Sequence, residues 1–165
     1  MSSVDLEFAA PSAEAMMAFG AALARTRPEA KSGPLLLYLT GELGAGKTTL
    51  ARGLLAQLGV TGAVRSPSYA LVEVHRLADL TVVHADLYRL LDAEELEPLG
   101  LRELYAPDHL WVIEWPERAA TALPEPDLHL ELSITPAAHR VRPVACGPQG
   151  RNWYAAAVEL VRVSH

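Results

Sequence analysis

The stretch from Pro34 to Leu58 constrains this chain more than any other. It reads as an apolar run, Leu35 to Leu39, then Gly41-Glu42-Leu43-Gly44-Ala45-Gly46-Lys47-Thr48-Thr49, then Leu50, Leu54, Leu55 and Leu58 at helical spacing. The middle piece matches the phosphate-binding pattern Gly-x-x-x-x-Gly-Lys-Ser/Thr at every fixed position. With glycine near 7% of residues, the pattern arises by chance in roughly one chain in a hundred of this length or fewer. A strand covered on both faces, a glycine loop and a helix are therefore expected in that order, which is the context the pattern needs.

Each residue type in that loop has a physical task. Backbone N–H groups turned inward cradle a triphosphate, and glycine lets the chain turn that tightly without a Cβ in the anion's way. Gly41, Gly44 and Gly46 permit the turn. The helix beginning near Lys47 adds unsatisfied N–H groups and the positive end of its dipole. The ammonium of Lys47 is suited to the β- and γ-phosphates and the Thr48 hydroxyl to Mg²⁺.

The bulk of the chain sets limits on partners and compartment. Its 165 residues, 50% hydrophobic and 21% charged, suit one compact domain spanning 1–165. The net charge is −6, and Lys31 and Lys47 are the only lysines. A broad basic surface for nucleic acid is not expected, so any RNA role is read as indirect. Cys146 is the only cysteine, which leaves no internal disulfide and no cysteine cluster for zinc. The start lacks a basic and apolar leader, and no apolar run reaches bilayer length, so a cytoplasmic protein without a membrane partner is expected.

Periodicity places further elements on either side of the loop. Val4, Leu6 and Phe8 alternate as a short strand, and Ser12 can cap a helix carrying Met16, Phe19 and Leu23 on one face. Gly59 stands where the loop helix should end. Ala70 to His75 and Leu80 to Ala85 predict an antiparallel hairpin. Asp92 and Glu95 form a capping-box pattern before a short helix with Leu96, Leu99 and Leu104 on its buried side, broken near Gly100. His109 to Glu114 is a buried strand, Leu128 to Ile134 a half-exposed one with Arg140 to Cys146 as its return, and Trp153, Ala157, Leu160 and Val161 share a face of a last helix. The result is an α/β fold, a P-loop NTPase-like domain with a mixed, mainly parallel sheet flanked by helices and bearing antiparallel hairpins.

A phosphate loop calls for an acid at the end of a neighbouring strand. Glu114 follows four apolar residues and falls at the C-terminal end of its strand, where open α/β sheets bind ligands. There it can hold Mg²⁺, directly or through water, or orient the attacking water. Asp86, in His84-Ala85-Asp86-Leu87-Tyr88-Arg89, is the second strand-end acid, with an ion pair to Arg89 as its alternative role. His84 reads as a hydrogen-bonded structural residue. Ser66 and Ser68 sit where a loop can sense the γ-phosphate or form a plain surface turn. Trp115 is expected in the core or an interface, with no ligand role. Tyr88, Leu90 and Leu101 are candidates for a partner surface if exposed.

Taken together, Gly41 to Thr49, Ser66-Pro67-Ser68-Tyr69 with Leu71-Val72-Glu73, His84-x-Asp86-Leu87-Tyr88-Arg89, Glu94-Glu95-Leu96-Glu97-x-x-Gly100 and Val112-Ile113-Glu114-Trp115-Pro116 resemble the TsaE family, also called YjeE. The resemblance runs from about residue 34 to 126. It implies a bacterial ATPase needed to make threonylcarbamoyladenosine in tRNAs that read codons beginning with A. Such a protein acts with TsaD and TsaB and does not itself transfer the threonylcarbamoyl group, and tRNA is met only through that complex. The resemblance further implies ATP on Gly44 to Thr49, Mg²⁺ on Thr48 and Glu114, and Asp86 as an acid needed for hydrolysis. It places nucleotide contacts near Ser12 and Arg140 as well. The family's loop usually reads Ser-Pro-Thr, and Ser68 here keeps the hydroxyl while losing a methyl.

Two other readings stay open. A small-molecule kinase has this size and loop, with Arg102 and Arg118 available as lid arginines. A binding module can use ATP occupancy as a switch with little turnover. A GTPase is disfavoured, because the Asn-Lys-x-Asp guanine signature is missing.

Overall fold

The computed structural model describes residues 7–29, 32–62, 64, 66–67, 69–144 and 146–164. In chain order they form β1 (Phe8–Ala10), α1 (Ala13–Thr26), β2 (Leu35–Thr40), α2 (Lys47–Leu58), β3 (Val72–Arg76), β4 (Thr81–Asp86), β5 (His109–Glu114), β6 (Leu128–Ile134), β7 (His139–Val144) and α3 (Pro148–Val163). Phe8 begins β1 as expected, whereas Val4 and Leu6 lie outside the described residues.

All seven strands belong to one sheet, ordered β1-β7-β6-β2-β5-β4-β3. The apolar run of β2 is central, parallel to β5 on one side and β6 on the other, with β4 parallel to β5 beyond. The chain returns antiparallel at both margins, β3 against β4 and β7 between β6 and β1. Only β3 and β7 therefore oppose the common direction, giving the mixed and mostly parallel sheet that the apolar runs and the hairpin predict.

Alternation along the strands divides the core. Leu35, Leu37 and Leu39 of β2, with Val82, Leu110 and Val112, face α1, α2 and α3. Leu36, Tyr38, Val83, Ala85, Trp111 and Ile113 face the other side. The helical cover is tight because α1 and α2 meet backbone to backbone. A Cβ on Gly53 would stand 2.1 Å from the Met17 carbonyl oxygen, and one on Gly20 2.1 Å from that of Leu50.

The helix ends are satisfied as the sequence predicts. The Ser12 side chain accepts from the Ala15 N–H at 3.1 Å, and Gly59 closes α2 in the left-handed region at φ 103°, donating to the Ala56 carbonyl.

Residues 93–104 depart from expectation. The capping box at Asp92 and Glu95 forms, but it opens two 3₁₀ segments, Ala93–Leu99 and Leu101–Leu104, joined at Gly100 with φ 76°. Pro98 lacks the N–H that an α-helical turn would use. The buried side is made by Leu96 and Leu101, with Leu99 and Leu104 half-buried beside them. Leu90 is buried too, so of the three candidate partner-surface residues only Tyr88 is exposed. Among the described residues no helix is long and apolar enough to cross a membrane.

Candidate functional site

The C-terminal ends of β2, β4 and β5 meet at one place, since Leu39 and Asp86 are both register partners of Glu114. The chain leaving β2 turns there through Gly41 to Gly46 before α2 begins at Lys47. All three glycines of this turn lie at positive φ, Gly44 at 80°. Gly41 lies at φ 144° with room for no Cβ, which would come within 2.3 Å of the Leu132 carbonyl oxygen, and Gly46 caps α2 at φ 109°. Glu42, Leu43 and Gly44 are exposed at the tip, while Ala45 is sealed beneath and its carbonyl faces His139 Nδ1 at 2.9 Å.

Lys47 is 5% exposed, and its ammonium donates to the Gly41 carbonyl and, at 2.9 Å, to that of Glu42. It also lies 4.3 Å from the centre of the Trp115 ring. Burial draws its pKa below the ordinary lysine value, against the opposing pull of the carboxylates of Glu114, Glu117, Asp86 and Glu42. One residue further, the Thr48 hydroxyl donates to Glu114 Oε1 at 2.8 Å. Thr49, next on the helix, also lines the cleft.

Glu114 is 1% exposed and makes a second contact, its Oε2 lying 2.7 Å from Nε2 of the fully buried His84. The two residues share the helical side of the sheet, because His84 stands two residues before Asp86, the register partner of Glu114. Asp86, 6% exposed, accepts the hydroxyl of Ser66 on Oδ2 and the Tyr88 N–H on Oδ1 at 3.0 Å. The alternative pairing with Arg89 does not form: that guanidinium sits 4.6 Å from the centre of the Tyr69 ring. Ser68 lies outside the described residues.

These groups surround a cleft of about 450 Å³, a size that suits a small ligand. Its far wall comes from Ser12, Ala13 and Met16 at the start of α1 and from His139 on β7. Ser12 and His139, the neighbour of Arg140, thus line one cleft, while the Arg140 guanidinium lies 3.3 Å from Glu7. Of the two arginines considered for a lid, Arg102 pairs with Glu97 on the opposite side of the sheet, and Arg118 lies near the cleft, 5.3 Å from the Tyr88 ring.

Trp115 packs against the core of the other side of the sheet, as expected, and also lines the cleft. It takes a left-handed conformation, φ 60° and ψ 47°, just past β5 and before Pro116. That conformation is costly for a bulky residue. From this backbone the ring reaches both that core and the cleft, 4.3 Å from Lys47 and 4.9 Å from Tyr88. Neither Trp115 nor His139 carries a local signal for this position.

The residues fit the ligands that the loop pattern suggests. The positive-φ glycines form a cradle for an anion, Lys47 supplies a cation at its base, and the Thr48 hydroxyl and Glu114 carboxylate offer oxygen donors of the kind Mg²⁺ prefers.

The model of the family described as threonylcarbamoyl adenosine biosynthesis protein TsaE matches residues 10–142. A tRNA threonylcarbamoyladenosine biosynthesis protein TsaE of Haemophilus influenzae is 42% identical over 118 residues, covering 72% of this chain and 75% of that protein. The protein of the same name from Streptomyces coelicolor is 41% identical over 131 residues, covering 76% and 88%. Among solved structures, Bacillus subtilis YdiB superposes with a TM-score of 0.70 over 96% of this chain and 95% of its own, at 24% identity, which speaks to the fold. The loop, the two strand-end acids and the sheet that aligns them thus lie inside a match spanning most of the sequence, and the chain belongs to the TsaE family of threonylcarbamoyl adenosine biosynthesis proteins.

Proposed function

We propose that this protein is a Mg²⁺-dependent ATPase serving threonylcarbamoyladenosine modification of tRNA in the cytoplasm. In this reading it acts with TsaD and TsaB, meets tRNA only through that complex, and does not transfer the threonylcarbamoyl group itself. The observation that carries the reading is the 2.8 Å contact between Thr48 Oγ1 and Glu114 Oε1, which sets a hydroxyl and a carboxylate together at the mouth of the glycine loop. Support also comes from the shared name of the Haemophilus and Streptomyces relatives.

The roles rest on placement. Backbone N–H groups of Gly41 to Thr49 and the start of α2 hold the phosphates. Lys47 exchanges its two loop carbonyls for phosphate oxygens, a better acceptor for a buried ammonium. Thr48 and Glu114 hold Mg²⁺, which when bound offsets charge on the phosphates. Asp86 faces the same cleft from β4 with its carboxylate fixed by Ser66 and the Tyr88 N–H, so it is the group suited to orient the attacking water. ATP and water give ADP and phosphate, and the free energy released resets the partner complex.

Phosphate release tests this directly, measured with Mg²⁺ for the chain alone and then with TsaD, TsaB and tRNA. Slow turnover alone and altered turnover with the partners are expected. Lys47→Ala should lower ATP affinity about 100-fold, the loss of a charged hydrogen-bonding group from a buried anion site. Equal rates with and without partners would remove the complex from the reading, and wild-type activity in Lys47→Ala would remove the site.

A further inference from the structure

We infer that His84 is a positioning residue that sets the rotamer of the Glu114 carboxylate, so that Oε1 is presented to Thr48 and the metal site. The inference rests on the proposed Mg²⁺–ATP reading and adds a residue to it. His84 sits on β4 at 0% exposure, and its Nε2 lies 2.7 Å from Glu114 Oε2. Its Nδ1 is buried with no hydrogen-bond partner among the described residues. A proton on Nδ1 would therefore be stranded, whereas a proton on Nε2 is donated to the carboxylate, which assigns the tautomer.

Packing alone does not account for a histidine here. The flanking helix-facing residues, Val82 before it on β4 and Val112 beside it on β5, are apolar and fully buried. An aliphatic side chain at position 84 would bury as well and strand no nitrogen. What the imidazole provides instead is directional. Glu114 has two oxygens and one free torsion at its end, and both oxygens are engaged by different elements, Oε2 by β4 and Oε1 by α2. With Oε2 tied to a rigid strand, Oε1 has one orientation left. A histidine or carboxylate that ligates a metal is commonly oriented by such an outer partner, whose removal costs about 10- to 100-fold in metal affinity.

Two measurements test this. In the first, ATP affinity is titrated against Mg²⁺, and again with the metal chelated, for wild type, His84→Leu, His84→Gln and His84→Asn. The Leu variant should need about 10- to 100-fold more Mg²⁺ for the same effect while its metal-free ATP affinity stays within about twofold. Gln reaches as far as Nε2 and should recover most of the loss, whereas Asn, whose amide falls where Nδ1 lies, should not. Wild-type Mg²⁺ dependence in the Leu variant overturns the inference. So does an equal fall in metal-free and Mg²⁺-bound affinity without rescue by Gln, which marks a role in folding alone. A wild-type protein that binds ATP with no Mg²⁺ dependence overturns the underlying reading, a distinguishable result. The second measurement is the ¹⁵N spectrum of the imidazole in metal-free protein, where a proton on Nε2 is expected and one on Nδ1 alone would refute the assignment.

Discussion

The two sides of the sheet are closed by different means. On one, three long helices lie over Leu37, Leu39, Val82 and Val112, and the backbones of α1 and α2 touch at Gly20 and Gly53. On the other, the cover is short 3₁₀ pieces at 93–99, 101–104 and 116–119, and it leaves a groove of about 1050 Å³ bordered by Leu96, Leu101 and Trp111. The proposed working groups, Lys47, Thr48, His84, Asp86 and Glu114, belong to the helical side. A metal or phosphate site has to be held to within a fraction of an ångström, and continuous packing does that better than turns with poor hydrogen-bond geometry. Trp115 bridges the looser side and the site, and it does so through a strained left-handed backbone.

Truncating one leucine on each side is the largest test of that contrast. Leu54, fully sealed between α1 and the sheet, leaves a cavity that rigid helices cannot fill, so Leu54→Ala should cost about 4 kcal/mol. Leu96 borders the open groove, where the short segments can close in, and Leu96→Ala should cost about 2 kcal/mol. Urea unfolding of both variants decides the matter, and equal losses would show that the two covers are equally stiff. Next in size is Gly53→Ala. Alanine favours a helix by about 1 kcal/mol, but its methyl would press on the Met17 carbonyl, so a net loss of about 2 kcal/mol is expected from the same measurement. A gain in stability would mean that α1 and α2 can separate at little cost.

The same contrast explains what could be read in the sequence. Wherever the determinant is local, the reading holds: the glycine loop, the Ser12 and Gly59 caps, the β3–β4 hairpin and Glu114 at the end of an apolar strand are all written within a few residues of themselves. The 93–104 stretch misleads because leucine spacing and a capping box suggest an α-helix, while Pro98 and Gly100 draw it into 3₁₀ turns. The partners of the site are legible only through register. His84 reaches Glu114 because β4 and β5 align Asp86 with Glu114, and His139 reaches Ala45 because β7 folds back along β6. No spacing within one segment encodes either pairing. Trp115 depends on a backbone torsion that its residue type disfavours.

The smallest expected effect is a pH dependence that arises on the looser side. His129 of β6 faces away from the helices, its Nε2 2.9 Å from the Thr40 hydroxyl. Burial lowers its pKa from the ordinary value, and Glu117 and Glu131 pull the other way. The pull of Glu131 is weakened by Arg142, whose Nη2 lies 2.7 Å from it. Because the folded state resists protonation, the unfolded chain binds the proton first as pH falls through about 6.5, the unperturbed histidine value. Stability contributed by neutral His129 is therefore present above that pH and lost below it, through the lowered folded value. His129→Gln keeps a polar group near Thr40 but cannot take up the proton. Melting temperatures between pH 7.5 and 5 should fall less steeply for the variant than for wild type, and parallel slopes would place the acid sensitivity elsewhere. A steeper fall in the variant would mean that the charged form is welcome at this site, with Glu117 and Glu131 outweighing burial, and that the looser side admits enough water to solvate it.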